Sequence, residues 1–146
     1  MFLDGIAAAL GRIRVTAGDW LDRWYEELPW RGRVALGRRG EQIAARYLRR
    51  RGWRVIGRNF AAAGAEIDLI ALDRATLVFV EVKTRIDGEV WPPAAAVNAR
   101  KRERIRRAAG AYVRGRRADN REIRFDVVAI SGVGRVRRIE LLKDSF

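Results

Sequence analysis

The sequence predicts a mixed α/β domain built around one sheet and carried behind a helical N-terminal extension. Three observations predict it. Hydrophobic periodicity changes along the chain in the order helix, strands, helix, strands. Apolar residues make up 49% of 146 residues, which suits one buried core and is short for two. The best strand material is apolar on both faces, as in a sheet covered on both sides.

Residues 1–36 read as a helical appendage. Phe2, Leu3, Ile6, Leu10 and Ile13 recur at helical spacing, as do Trp20, Leu21, Trp24, Tyr25 and Leu28, before Pro29 and Gly32 interrupt the pattern. Such an amphipathic pair is expected to pack on its own domain or on a second copy, ahead of a membrane-surface or partner-binding role. Residues 37–146 form the main domain. The stretch RGEQIAARYLRRRGW predicts a helix over about residues 38–51, with Ile43, Ala44, Tyr47 and Leu48 as its apolar stripe and Gly52 as its stop. Glu41 lies three before Ala44 and seven before Leu48, so it falls on that stripe; the helix dipole alone also accounts for a first-turn glutamate.

WRVIG (53–57) predicts a short strand, and NFAAAGA a loop. The segment EIDLIALDRATLVFVEVKTR (66–85) predicts a hairpin. Pro92 and Pro93 start a second helix reaching to about residue 114, with Val97, Ile105, Ala108 and Tyr112 inward and Lys101 at the same spacing. Residues 121–130 and 135–141 predict two further strands, with SGVG as the turn between them.

Composition narrows the function. Thirty-one basic against 18 acidic residues leave a net charge of +13, mostly from arginine, whose planar fork suits phosphate. That excess points to a polyanionic partner, nucleic acid first and anionic membrane second; the plain alternative is a solvated basic surface. There is no cysteine and no histidine, which excludes disulfides, thiolate nucleophiles, Ser-His-Asp triads and nearly all zinc sites. Any metal must be a hard cation held by carboxylates and carbonyls, Mg²⁺ or Mn²⁺ first. No segment approaches a membrane span, and the N-terminus lacks the basic start of a secretory signal, so a cytoplasmic location is expected.

The hairpin concentrates the chemistry. A turn centred between Arg74 and Ala75 pairs Leu72 with Leu77, and extending that register puts Asp68 opposite Glu81 and Glu66 opposite Lys83. Two carboxylates about 5 Å apart repel by roughly 3 kcal/mol at an effective dielectric near 20. Lys83 and Glu66 offset part of this, and a divalent cation between Asp68 and Glu81 offsets more. A salt-bridged rim at the sheet's edge is the structural alternative.

Asp68 followed by Glu81-Val82-Lys83 on the next strand resembles the metal-binding core of the restriction-endonuclease-like, PD-(D/E)xK, superfamily. More closely, GRRGEQIAARYLRRRGW, GAEIDLI, FVEVKTR, AVNARKRERI, RFDVVAI and IELLKDSF, in that order over residues 37–146, resemble the YraN family. The resemblance implies a restriction-endonuclease-like fold, a central mixed β-sheet flanked by helices, and similarity to archaeal Holliday-junction resolvases. By matching positions it implies Asp68, Glu81 and Glu41 as metal ligands for Mg²⁺ or Mn²⁺, and Lys83 as the catalytic lysine. The expected activity is metal-dependent phosphodiester hydrolysis on DNA, branched or junction DNA included, with a homodimer suiting a junction by analogy. Arg38, Arg39, Arg85, Arg100 and Lys101 are the candidates to grip the DNA backbone. The rival readings are a nucleic-acid-binding protein of this fold without cleavage, and a scaffold acting through the N-terminal helices.

Overall fold

A computed structural model describes residues 30–85, 97–116, 120–133 and 136–146. Leu36–Phe146 forms one compact unit, and it is this unit that carries the hairpin. The expected helices within residues 1–28 and the Pro92-Pro93 helix start lie outside the described residues.

Among the described residues seven elements follow in order: α1 (Trp30–Arg50), β1 (Arg54–Ala62), β2 (Ala65–Asp73), β3 (Thr76–Arg85), α2 (Ala99–Arg116), β4 (Ile123–Val133) and β5 (Val136–Leu142). The strands form one sheet in sequence order. Every neighbouring pair is antiparallel except β3 and β4, which are parallel and joined through α2. This five-stranded mixed sheet, flanked by two helices, is consistent with the restriction-endonuclease-like fold.

The core lies in two layers, one on each face of the sheet. Ala44, Ala45 and Leu48 of α1 pack on Leu69, Ala71, Val78, Val80, Val128 and Ile130. Ile105, Ala108, Ala109 and Tyr112 of α2 pack on Ile67, Ile70, Leu77, Phe79 and Val127. Central strands therefore bury both faces, which explains their near-continuous apolar runs. Tyr112 stands edge-on to both Phe60 and Phe79, at 5.1 and 5.8 Å between ring centres, and ties α2 to β1 as well as β3.

Several boundaries differ from expectation. Helix α1 begins at Trp30 rather than near residue 38, because Pro29 just before it is compatible with a first helical turn and Gly32 is tolerated within it. Its end falls as expected. Gly52 adopts φ +84°, its N–H donates to the Arg49 carbonyl, and the Trp53 N–H donates to the Leu48 carbonyl, a Schellman stop. Strand β1 continues through the stretch expected as a loop, since Phe60, Ala61 and Ala62 pair with Ile67, Glu66 and Ala65. Strand β4 continues through Ser131, Gly132 and Val133 of the expected SGVG turn.

Candidate active site

The hairpin register is Leu72 with Leu77, as the turn residues predict, and Asp73 with Thr76 closes it. The β2–β3 ladder runs only as far as Leu69 with Val80. One residue further, the Val82 N–H donates to Asp68 Oδ2 at 2.7 Å. So Asp68 and Glu81 face one another not as a ladder pair but where the ladder gives out.

The alternation of faces also slips at this point. Parity places Ile67 with Leu69, yet Ile67 joins Ile70 in the α2 layer, and Asp68 lines a cleft against α2. Between the Arg58–Leu69 and Phe60–Ile67 pairs lie Asn59 and Asp68, and Asn59 adopts φ +47°. The left-handed residue, tolerable for asparagine, kinks β1 beside the acid and turns two consecutive β2 residues toward α2.

Glu81 is buried, with its side chain 3% exposed. Its Oε1 receives both Lys83 Nζ, at 3.2 Å, and Lys101 Nζ in closer contact. Its Oε2 has no hydrogen-bond partner among the described residues. Burial, then the negative charge of Glu81, push the Asp68 carboxyl up from 3.8 to about 7, against the pull of the Val82 N–H and Lys101; Glu41 adds a little to the push. Burial opposes the charge on Lys101, but the Glu81 carboxylate outweighs it, so the ammonium is held above its ordinary range.

The expected residues sort into three groups. Asp68, Glu81 and Lys83 come together. Glu41, half-buried on α1, accepts a hydrogen bond from Asn59 Nδ2 at 2.9 Å and stands beside this cluster. Among the described residues no three acidic side chains gather into one metal-binding group. Lys101, expected to grip a DNA backbone, reaches Glu81. Lys83, expected opposite Glu66, pairs with Glu81, while Glu66 lies exposed on the cleft wall.

The cleft encloses about 510 Å³ and is lined by Asp68 together with Asn98, Arg100, Lys101 and Arg104 of the α2 start. Asn98 caps α2, its Oδ1 accepting the Lys101 N–H at 2.9 Å. Arg104 donates to the Gly64 carbonyl across the cleft mouth. Arg38 and Arg39 are exposed on α1, and Arg85 is half-buried at the end of β3. Sequence reasoning missed Arg104 and Asn59. Four-residue spacing from Arg100 would have found the first, while nothing local announces the second.

The fold and site together define an α/β domain carrying an acid-acid-lysine cluster at a cleft on a split strand pair. The chain belongs to the uncharacterised protein family UPF0102, whose family model matches residues 40–130. UPF0102 proteins similar to it include one from Geobacter metallireducens, 40% identical over 77% of this chain and 92% of that one. Another, from Syntrophus aciditrophicus, is 44% identical over 77% of this chain and 89% of the relative. A third, from Solibacter usitatus, is 48% identical over 64% of this chain and 73% of the relative. The match to the YraN family expected from the motifs therefore stands.

Proposed function

We propose that this protein is a metal-dependent nuclease acting on DNA. The observation that carries the reading is Glu81. It is a carboxylate buried at a cleft with one oxygen unpartnered, and it neighbours a second acid, Asp68, whose carboxyl is raised by burial first and by the charge of Glu81 second. Two acids this close call for a cation, and with no cysteine or histidine in the chain the donor set suits a hard one.

Asp68, Glu81 and the Val82 carbonyl are the groups that would hold Mg²⁺ or Mn²⁺, with Glu41 completing the set directly or through water. Bound there, such an ion lowers the pKa of a water and neutralises charge on a phosphate. Lys83, kept beside Glu81 on β3, orients that water or stabilises the charge developing on the phosphoryl oxygens. Hydrolysis forms a bond from the water oxygen to phosphorus and breaks the bond to the leaving oxygen, which takes up a proton. Arg38, Arg39, Arg85 and Arg100 grip the backbone, giving binding that is salt-dependent and indifferent to sequence.

The competing reading is a nucleic-acid-binding protein without cleavage, and the occupation of Glu81 Oε1 by two lysines favours it. Purified protein incubated with duplex, single-stranded and branched DNA in Mg²⁺ or Mn²⁺ decides between them. Cleavage lost in Asp68→Ala and Lys83→Ala, with binding kept, supports the enzyme. Binding with no cleavage of any substrate leaves the binding protein. A scaffold role through residues 1–36 predicts that deleting them abolishes partner association and spares DNA binding.

A further inference from the structure

Glu81 Oε1 is shared by two ammonium groups that are held very differently. Lys83 sits two residues along the same strand, 26% exposed, and stays where β3 stays. Lys101 comes from the first turn of α2 and is 41% exposed at its side chain against 3% for Glu81. Its backbone position is set without its side chain, since Asn98 caps its N–H and the Arg102 N–H donates to the Asn98 carbonyl at 3.0 Å. Lys101 also lines the cleft that holds Asp68, Arg100 and Arg104. A flexible four-carbon stem lets its ammonium serve either the carboxylate or the cleft.

We propose that Lys101 is a resident counter-ion of the Asp68–Glu81 pair, displaced by an incoming divalent cation into the cleft, where it joins Arg100 and Arg104 toward a phosphate. This rests on the reading that Asp68 and Glu81 hold such a cation. Both ammoniums sit on Oε1 and leave Glu81 Oε2 without a partner among the described residues, whereas a dication between the acids answers Oε2 and Asp68 together. A dication arriving between the acids repels the ammonium in closest contact with Oε1, so binding is an exchange. The exchange orders the ligands, metal before substrate, and by reciprocity a phosphate in the cleft tightens metal binding.

Two measurements on the full chain test it. Mn²⁺ binding to metal-free protein, read by electron paramagnetic resonance at pH 8, compares wild type with Lys101→Ala and Lys101→Met. Amine acylation of wild type with and without saturating Mg²⁺, read by peptide mass spectrometry, needs no variant to fold; Lys143, paired with Asp73, is the reference. The expected results are Mn²⁺ affinity at least about tenfold higher in both variants, and Lys101 acylation several-fold faster with Mg²⁺ while Lys143 is unchanged. Equal or weaker Mn²⁺ affinity in the variants, or Lys101 reactivity indifferent to Mg²⁺, overturns the counter-ion role and leaves the metal ligands standing. No Mn²⁺ binding by any of the three proteins overturns the role and the metal-dependent reading together.

Discussion

Asp68 accepts the backbone N–H of Val82 through Oδ2 at 2.7 Å, one residue past the last β2–β3 ladder pair. A side chain thereby replaces the next ladder partner, and the strands part around two acids. The Val82 N–H favours the Asp68 carboxylate, but burial and the neighbouring charge of Glu81 outweigh it and make the site costly in the absence of a cation.

The cost has a pH dependence. The Asp68 carboxyl rises from 3.8 to about 7 on folding, so the folded state binds this proton more tightly than the unfolded chain. The associated stability is fully present below about pH 4 and is lost as pH rises through about 7. Asp68→Asn keeps an oxygen for the Val82 N–H and removes the charge. In EDTA it should match wild type near pH 4 and exceed it at pH 8 by about 2–4 kcal/mol in urea unfolding, the upper bound being the free energy that separates a carboxyl at 3.8 from one at about 7. Equal stability at pH 8 would refute this account of the pair.

A second acid is solved without a metal. Asp126, wholly buried, takes two hydrogen bonds from Arg124 Nε and one from its Nη2, plus the Asp144 N–H at 2.9 Å. Arg124 Nη2 also donates to Asp73 at 2.9 Å, and its guanidinium lies over Trp53 at 5.3 Å. Arg124→Met should cost about 3–5 kcal/mol by leaving Asp126 buried and uncompensated. Lys143→Ala, at the exposed end of the same network, should cost under about 1 kcal/mol by the same unfolding measurement.

Helix α1 lies against β3 at a glycine. A Cβ on Gly40 would fall 3.3 Å from Thr84 Cβ and far closer to its hydroxyl. Gly40→Ala should destabilise by about 1–3 kcal/mol and move Glu41, its neighbour in the chain, relative to the strands. Adding Thr84→Ala should restore most of the loss. If thermal unfolding shows the double variant no better than the single one, the helix position is set elsewhere.

The cleft wall predicts how DNA binding responds to salt. Arg100→Gln with Arg104→Gln should weaken binding to every sequence alike and lower the slope of log affinity against log salt by about two, measured by fluorescence anisotropy. An unchanged slope would place the phosphate contacts on another surface.

Legibility in the sequence followed distance along the chain. The Leu72–Leu77 pairing could be read because two turn residues and a period of two determine it locally. The α1 stop at Gly52 could be read for the same reason. The slip of faces at Asp68 could not, because it depends on Asn59 of the neighbouring strand in the left-handed region. The role of Lys101 was also hidden. Its spacing with Val97 and Ile105 announced an inward face, but what it would meet there depended on where α2 docks.

By itself, the sequence determined the alternation of elements, the two-sided burial of the central strands and the presence of Asp68, Glu81 and Lys83 on one hairpin. Periodicity and turn chemistry act over a few residues, so they are written locally. Only the tertiary structure decided that the hairpin splits at the acids, that Asn59 bonds Glu41, and that a lysine from α2 answers Glu81. Those last two are agreements between segments 18 to 20 residues apart in the chain, settled when two helices pack on opposite faces of one sheet and the buried charges must find partners.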